Sequence, residues 1–164
     1  MPTADPTPDE MGHLQRAVEL AAEALEAGDE PFGSVLVDAG GRVLAEERNR
    51  VNSLHDRTRH PEFALARWAA AHMPEQSRAA ATVYTSGEHC AMCSAAHGWA
   101  GLGRIVYAHS TAQLTRWLTE WGVPSSPVSP LPVQEVVPGL AVQGPVPELA
   151  EQLRGLHRSF HGRG

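Results

Sequence analysis

Two short clusters of metal-ligating residues, 30 positions apart, constrain this chain more than any other feature. The first is His60-Pro61-Glu62, and the second contains the only two cysteines, Cys90 and Cys93. An imidazole and two thiolates make a set of three ligands, which leaves a tetrahedral zinc ion one open position for water. The chain must therefore fold so that the two clusters meet, and we expect one Zn²⁺ per chain.

A Cys-x-x-Cys motif alone also occurs in redox sites and in structural zinc sites. A thioredoxin-like site expects the motif directly after the first strand of a βαβ unit, without a His-x-Glu partner. A structural zinc site needs a fourth protein ligand. His89 could supply one on paper, but its position next to Cys90 gives poor geometry for the same ion. We therefore favour a catalytic zinc.

The placement of the two clusters supports this interpretation. Both fall at predicted helix starts, where free N–H groups and the helix dipole stabilise thiolates and developing negative charge. Zinc lowers the pKa of its water to about 7, and Glu62 lies two residues after His60, near that water without being a ligand. Glu62 is therefore the predicted catalytic acid and base, and His60, Cys90 and Cys93 are the predicted metal ligands.

Composition argues for a globular protein rather than a nucleic-acid-binding or membrane protein. The chain has 164 residues, of which 42% are hydrophobic and 20% charged, close to ordinary globular usage. The net charge of −6 and the scattered cations argue against a nucleic-acid surface. No apolar stretch reaches the roughly 20 residues that a membrane span needs, and no signal peptide is recognisable. We expect a cytoplasmic protein.

Hydrophobic periodicity predicts alternating helices and strands in a single domain at residues 9–164, after a disordered leader at residues 1–8. Helices are predicted at residues 9–28, 60–73, 90–101, 111–122 and 147–160, and strands at residues 32–38, 42–48, 81–86, 104–108 and 133–137. Residues 49–59 are predicted to form a loop, and the Pro- and Ser-rich residues 123–132 a linker or flap. This order predicts an α/β fold of three α-β-α layers with a mixed central sheet of about five strands.

The His60-Pro61-Glu62 cluster and the Cys90-x-x-Cys93 cluster resemble those of the zinc-dependent nucleobase and nucleoside deaminases. The signature of that family is His-x-Glu followed by Cys-x-x-Cys. The resemblance covers most of residues 10–125, and it includes Pro31-Phe32-Gly33-Ser34, Asn49-Arg50, His55-Asp56-x-Thr58, Tyr84-Thr85-Ser86 and Trp99-Ala100. The tracts around Asn49 and Trp99 look most like the guanine deaminase and tRNA adenosine deaminase branches. The resemblance implies a cytidine deaminase-like fold and hydrolytic release of ammonia from an amino-substituted ring.

The resemblance also implies roles for residues outside the metal set. Asn49 would be a ring-binding amide, and Phe32 and Trp99 would be walls of the substrate pocket. The alternatives are that Asn49 is only a turn residue and that the two aromatic residues are ordinary core residues. Glu88 and His89 are further candidates for substrate contact, with a solvated or supporting position as the alternative.

Two positions depart from the pattern of the family. Pro61 stands where the family has Ala, and proline lacks the backbone N–H that the family uses near its substrate. A ring acceptor would be left unpaired there, at a cost of about 1–3 kcal/mol, so Pro61 is also assigned to the substrate site. His89 stands where a Pro usually precedes the first Cys. We therefore expect a substrate that differs from ordinary guanine or adenine.

The predicted function is zinc-dependent hydrolytic deamination of a free nucleobase or a related heteroaromatic ring. Guanine, 8-oxoguanine, cytosine, azacytosine and amino-s-triazines are the candidate substrates. The predicted partners are this small molecule and a second copy of the chain, with no nucleic acid and no membrane. The homodimer is implied by the family habit, and Trp117 and Trp121 are compatible with packing or with a dimer contact.

Two other functions stay open. A tRNA adenosine deaminase expects a basic face for its RNA. A non-catalytic, zinc-stabilised interaction module would not need Glu62 beside an open coordination position.

Overall fold

Five strands form one mixed sheet in the computed structural model, which describes residues 4–162. The strands are β1 (Gly33–Val37), β2 (Val43–Arg48), β3 (Thr82–Gly87), β4 (Ile105–His109) and β5 (Val142–Gln143). Their order across the sheet is β2-β1-β3-β4-β5. β1 pairs antiparallel with β2 and β3, whereas β3, β4 and β5 are parallel to one another. The mixed sheet of about five strands is confirmed.

Seven helices connect and cover these strands within residues 4–162. They are α1 (Pro8–Glu26), α2 (Pro61–His72), α3 (Glu75–Ala80), α4 (Ala91–Ala100), α5 (Thr111–Glu120), α6 (Val133–Val136) and α7 (Pro147–His161). Of the predicted leader, residues 1–3 lie outside the described residues, whereas Thr7 caps α1 and Pro8 begins it. Within the described part of the chain, no helix combines the length and the apolar character that crossing a bilayer requires.

An apolar cluster on each face of the sheet produces the three layers. On one face α1 and α7 pack against side chains of β1 and β4, including Val35 and Val106. On the other face α2 packs against Leu36 and Val83. Because successive side chains of a strand point to opposite faces, Val35 and Leu36 contribute to different clusters. The predicted α-β-α layering is therefore confirmed, with β1 buried on both faces.

The edge of the sheet differs from the prediction. The segment at residues 133–137, predicted as an edge strand, contains the helical turn α6, and the edge strand is β5. Valine-rich composition favours a strand, but Pro132 is the N-cap residue of this turn. In addition, the N–H of Val133 donates to the Glu88 carboxylate at 2.9 Å. These local contacts outweigh strand propensity. The short helix α3 is also absent from the prediction.

Gly33 begins β1 directly beneath α1, and we predict that a side chain here destabilises the fold. A Cβ at this position would clash with the Ala17 carbonyl oxygen and lie 2.5 Å from the Leu20 Cβ. We expect Gly33→Ala to lower the free energy of unfolding by about 1–3 kcal/mol, the usual cost of overpacking. Gly12→Ala is the matched control, because nothing lies within 4 Å of a Cβ there and alanine favours the helix by about 0.5–1 kcal/mol. Equal urea midpoints for the two variants would contradict the close approach.

Candidate metal centre and active site

His60, Cys90 and Cys93 converge because the segments that carry them begin two neighbouring helices. His60 is the N-cap residue of α2, Cys90 is the N-cap residue of α4, and Cys93 lies in the first turn of α4. The helices α2 and α4 pack against each other, and only residues 88–90 separate α4 from the end of β3. The sheet therefore fixes where both sulfurs lie.

The three ligand atoms have the spacing of a tetrahedral zinc site. The Nδ1 atom of His60 lies 3.5 Å from the Sγ atoms of both Cys90 and Cys93, and all three atoms lie within 4.8 Å of one another. Tetrahedral bonds of about 2.0–2.1 Å to nitrogen and about 2.3 Å to sulfur put N and S about 3.6 Å apart. The residues present therefore fit a zinc ion.

The three ligand groups strongly shift one another's pKa values. The contact with Cys93 and the hydrogen bond with His60 lower the pKa of Cys90 to about 4 against the effect of burial. The Cys90 sulfur and burial raise the pKa of Cys93 well above its usual range. Burial lowers the pKa of His60, but Cys90 and Glu62 outweigh it and raise the pKa to about 9. A divalent cation lets both sulfurs ionise while the imidazole stays neutral.

Glu62 lies in the first turn of α2, beside the three ligands, and is only 5% exposed. Burial raises the pKa of this carboxyl group, while the nearby His60 opposes the increase. Its Oε1 atom accepts hydrogen bonds from Ser34 Oγ at 3.2 Å and from Thr85 Oγ1 at 3.1 Å. A carboxyl group with a raised pKa and a fixed position is suited to accepting and returning protons.

Ser34 and Thr85 are contacts of the site that sequence reasoning missed. Both are fully buried, and they face each other across β1 and β3. The signal in the sequence is a single serine in the apolar strand β1 and several hydroxyl residues in β3, of which Thr85 is one. That signal does not say which hydroxyls meet, because the meeting depends on the pairing register.

Asn49 and Phe32 lie next to each other, joined by a hydrogen bond from the Asn49 N–H to the Phe32 carbonyl at 3.0 Å. The Asn49 side chain is buried, and its Oδ1 accepts from the Val51 N–H at 3.0 Å, which is a local turn contact. Phe32 is half-buried, and its ring packs on His157 with centroids 4.9 Å apart. Pro61 is the buried first residue of α2, in the same turn as Glu62.

Glu88 and Trp99 have surroundings that the sequence did not predict. The Oε1 atom of Glu88 accepts from the Thr111 N–H and Oε2 accepts from the Val133 N–H, each at 2.9 Å. Glu88 thus joins the starts of α5 and α6 to the end of β3. Trp99 lies on α4 and is 91% exposed, so residues 4–162 do not enclose it as a pocket wall. Trp117, by contrast, is buried.

His89 is fully buried, which excludes the solvated position considered for it. Its ring packs edge-on against His97 with centroids 5.3 Å apart. Among residues 4–162, neither of its ring nitrogens has a hydrogen-bond partner. Burial lowers the pKa of His89 well below its usual value, so this imidazole is neutral.

A cavity of about 370 Å³ beside His60 brings together several arginines, so the expectation of scattered cations is wrong for this face. The cavity is lined by Arg48, Arg50, Arg59 and Arg67, with Glu47 and Asp56 among them. Three of these arginines form ion pairs at 2.8–3.1 Å, namely Arg48–Asp29, Arg50–Glu47 and Arg59–Asp56. The carboxylates therefore offset much of the positive charge.

Similarity to known deaminases agrees with this geometry. A guanine deaminase of Bacillus subtilis is 38% identical over 96 residues, which cover 58% of this chain and 61% of that protein. A tRNA-specific adenosine deaminase of Agrobacterium fabrum is 36% identical over 94 residues, covering 57% of this chain and 61% of that protein. The chain thus spans less than two thirds of the length of these curated relatives.

The fold is that of a solved guanine deaminase from Nitrosomonas europaea. The TM-score is 0.71 at 19% identity, and the match covers 99% of this chain and 88% of that chain. The model of the cytidine and deoxycytidylate deaminase zinc-binding region matches residues 8–109. Because that match covers well over half of the chain and includes both metal-ligating clusters, this protein belongs to the cytidine and deoxycytidylate deaminase zinc-binding family.

Proposed function

We propose that the chain is a zinc-dependent aminohydrolase that removes an exocyclic amino group from a free nucleobase or a related heteroaromatic ring. The observation that carries this proposal is the buried carboxylate of Glu62 beside a set of three metal ligands. A structural zinc site would use a fourth protein ligand and would not need such a carboxylate. Membership of the family supports deamination as the reaction class.

His60, Cys90 and Cys93 are the proposed zinc ligands. A zinc ion held by these three residues would supply an acidified water as the nucleophile at neutral pH. The chain contributes two thiolates and a neutral imidazole. The N–H of Cys93 donates to the Cys90 sulfur at 3.4 Å, and such backbone donors at a helix N-terminus stabilise a thiolate.

Glu62 is the proposed proton carrier. Hydrolysis replaces the exocyclic C–N bond with a C–O bond, so one proton of the water must reach the ring nitrogen and the other must reach the leaving amino group. Glu62 takes each proton from the nucleophile and delivers it in turn, and the carboxyl group regains its starting state when ammonia departs. Its raised pKa brings the group closer to the pH at which it works.

Asn49, Phe32 and Pro61 are the proposed contacts of the substrate ring. Pro61 offers no N–H, so a ring acceptor facing it would stay unpaired at a cost of about 1–3 kcal/mol. This favours rings whose pattern of acceptors differs from that of guanine or adenine. Glu88 and His89 are better explained as supports of the site, because the former binds two backbone N–H groups and the latter is buried against His97.

A second copy of the chain is the proposed partner. The indole of Trp99 is 91% exposed, and large aromatic side chains are enriched in interfaces between proteins. A partner subunit would bury this ring.

A tRNA adenosine deaminase is the second candidate, and the arginine-lined cavity beside His60 is the observation that favours it. Phosphate groups bind to clustered arginines. We rank it second because three of the four arginines already pair with carboxylates.

The zinc ligands can be tested by metal analysis. We expect one zinc per purified chain, and we expect His60→Ala to bind substoichiometric zinc because only two ligands remain. His72→Ala is the matched control on the same helix, since His72 is exposed and bonds to the Trp68 carbonyl instead. Elemental analysis and competition with a chromophoric chelator provide the measurements. Unchanged zinc affinity in His60→Ala would reject this ligand.

The role of Glu62 predicts loss of activity without loss of metal. We expect Glu62→Gln to keep one zinc per chain and to lower kcat by at least about 100-fold, the scale of general acid–base catalysis. Glu75→Gln is the control, an exposed carboxylate in the first turn of α3. Ammonia release is measured on guanine, 8-oxoguanine, cytosine, 5-azacytosine, adenosine and amino-s-triazines. No ammonia from any of these would point to a non-catalytic zinc module.

RNA binding separates the two candidate functions. For a free-base deaminase we expect no tRNA binding at micromolar protein in fluorescence anisotropy, at either low or physiological salt. For a tRNA deaminase, binding would weaken steeply with salt, and reversing two of the cavity charges with Arg59→Glu and Arg67→Glu would abolish it. Salt-dependent binding of that kind would move the tRNA deaminase to first place.

A further inference from the structure

Two buried hydroxyl groups bind one oxygen of the Glu62 carboxylate. Ser34 Oγ donates to Oε1 at 3.2 Å, and Thr85 Oγ1 donates to the same atom at 3.1 Å. Both residues are fully buried, so bulk water does not compete for these hydroxyls. Hydrogen bonds to an ionised acceptor are stronger than those between neutral groups. The contact is therefore one that can fix where the carboxylate lies.

The central sheet, rather than a loop, places the two hydroxyls. Ser34 on β1 and Thr85 on β3 are direct partners in the antiparallel register, and their hydroxyl oxygens lie 2.8 Å apart. Groups on strands are held more accurately than groups on loops. The side chain of Glu62 is thus fixed from the sheet, while its backbone is fixed by α2.

Neither hydroxyl requires Glu62 for its own hydrogen bonding. Thr85 Oγ1 also lies 3.0 Å from the Gly87 carbonyl oxygen, and Ser34 Oγ can donate to Thr85 Oγ1. Each hydroxyl has one proton, so these two bonds form when that proton is not directed to Glu62, and they remain available when the carboxylate is removed. The carboxylate, in contrast, loses the Ser34 and Thr85 donors when the hydroxyls are removed, and within residues 4–162 it keeps only its own backbone N–H and the Cys93 thiol. Glu62 therefore depends on the hydroxyl pair more than the pair depends on Glu62.

We propose that Ser34 and Thr85 are positioning residues for Glu62. They bind Oε1, hold the carboxylate in one orientation and leave Oε2 to exchange protons during the reaction. Displacing a reacting group by about 1 Å is enough to slow a reaction by about 100-fold, so the pair affects the rate without touching the substrate. This inference rests on the proposed function, because it needs Glu62 to be the proton carrier.

A double-mutant cycle on the zinc-loaded protein tests the coupling without any substrate. Thr85→Val replaces the hydroxyl with a methyl group of similar size. We expect it to lower the urea midpoint in the presence of Glu62, because the buried carboxylate loses a donor. In the Glu62→Ala background, the same substitution should shift the midpoint by about half as much or less. Zinc content is checked in all four proteins.

Kinetics test the positioning role itself. We expect Thr85→Val and Ser34→Ala each to lower kcat by about ten-fold, the order expected for one lost hydrogen bond to a charge, with KM nearly unchanged. Thr85→Ser keeps the hydroxyl and should restore most of kcat. The control is Ser86→Ala, because the buried Ser86 hydroxyl accepts from the Gly33 N–H and should affect stability rather than kcat. The probe is guanine or, where another compound of the panel reacts faster, that compound.

Two results would overturn the inference. One is an equal shift of the urea midpoint for Thr85→Val with and without Glu62, since the hydroxyl would then stabilise β3 independently of the carboxylate. The other is an equal loss of kcat in Thr85→Ser and Thr85→Val, since packing rather than the hydroxyl would then matter. Wild-type protein that releases no ammonia from the whole panel would reject the proposed function instead, and the unfolding cycle would still decide whether the hydroxyls are coupled to Glu62.

Discussion

The burial of the Glu62 carboxyl group is the constraint around which the site is arranged. An ionised carboxylate in an apolar interior costs several kcal/mol unless it is hydrogen-bonded or paired. Here Ser34 and Thr85 bind one of its oxygens, while burial still raises its pKa. A carboxylate tolerated in this way keeps a pKa above its usual range, which is what a proton carrier near neutral pH needs.

The ends of the parallel strands β3 and β4 then determine what lies around the site of Glu62. β3 and β4 end side by side, with Gly87 paired to His109, and the segment after β3 carries Glu88 and then the two cysteines. Glu88 accepts from backbone N–H groups at the starts of α5 and α6. Glu88 therefore binds the segments that begin α5 and α6. The sulfurs of Cys90 and Cys93, which follow in the chain, lie next to His60. The supporting carboxylate and two of the candidate metal ligands therefore lie within residues 88–93, directly after one strand.

The candidate metal ligands could be predicted from sequence because their residue types and spacing indicate metal binding. His60, Cys90 and Cys93 leave little choice of partner, and the periodic apolar residues predict most helices and strands. The hydroxyl pair could not be predicted, because Ser34 and Thr85 are 51 positions apart and meet only through the register of β1 and β3. The exposure of the Trp99 side chain could not be predicted for a similar reason, since the hydrophobic pattern of the sequence does not say which side of α4 faces solvent.

The two departures from the family pattern have different consequences once their surroundings are known. His89 is buried and packs against His97, and burial lowers its pKa well below the usual value, so its surroundings within residues 4–162 are those of a packing residue next to Cys90. Neither of its ring nitrogens has a hydrogen-bond partner within the described part of the chain, and an unpaired buried polar atom costs about 1–3 kcal/mol. Pro61, in contrast, shares the first turn of α2 with Glu62 and removes a donor there. Pro61 is thus the departure that stands next to the proposed proton carrier.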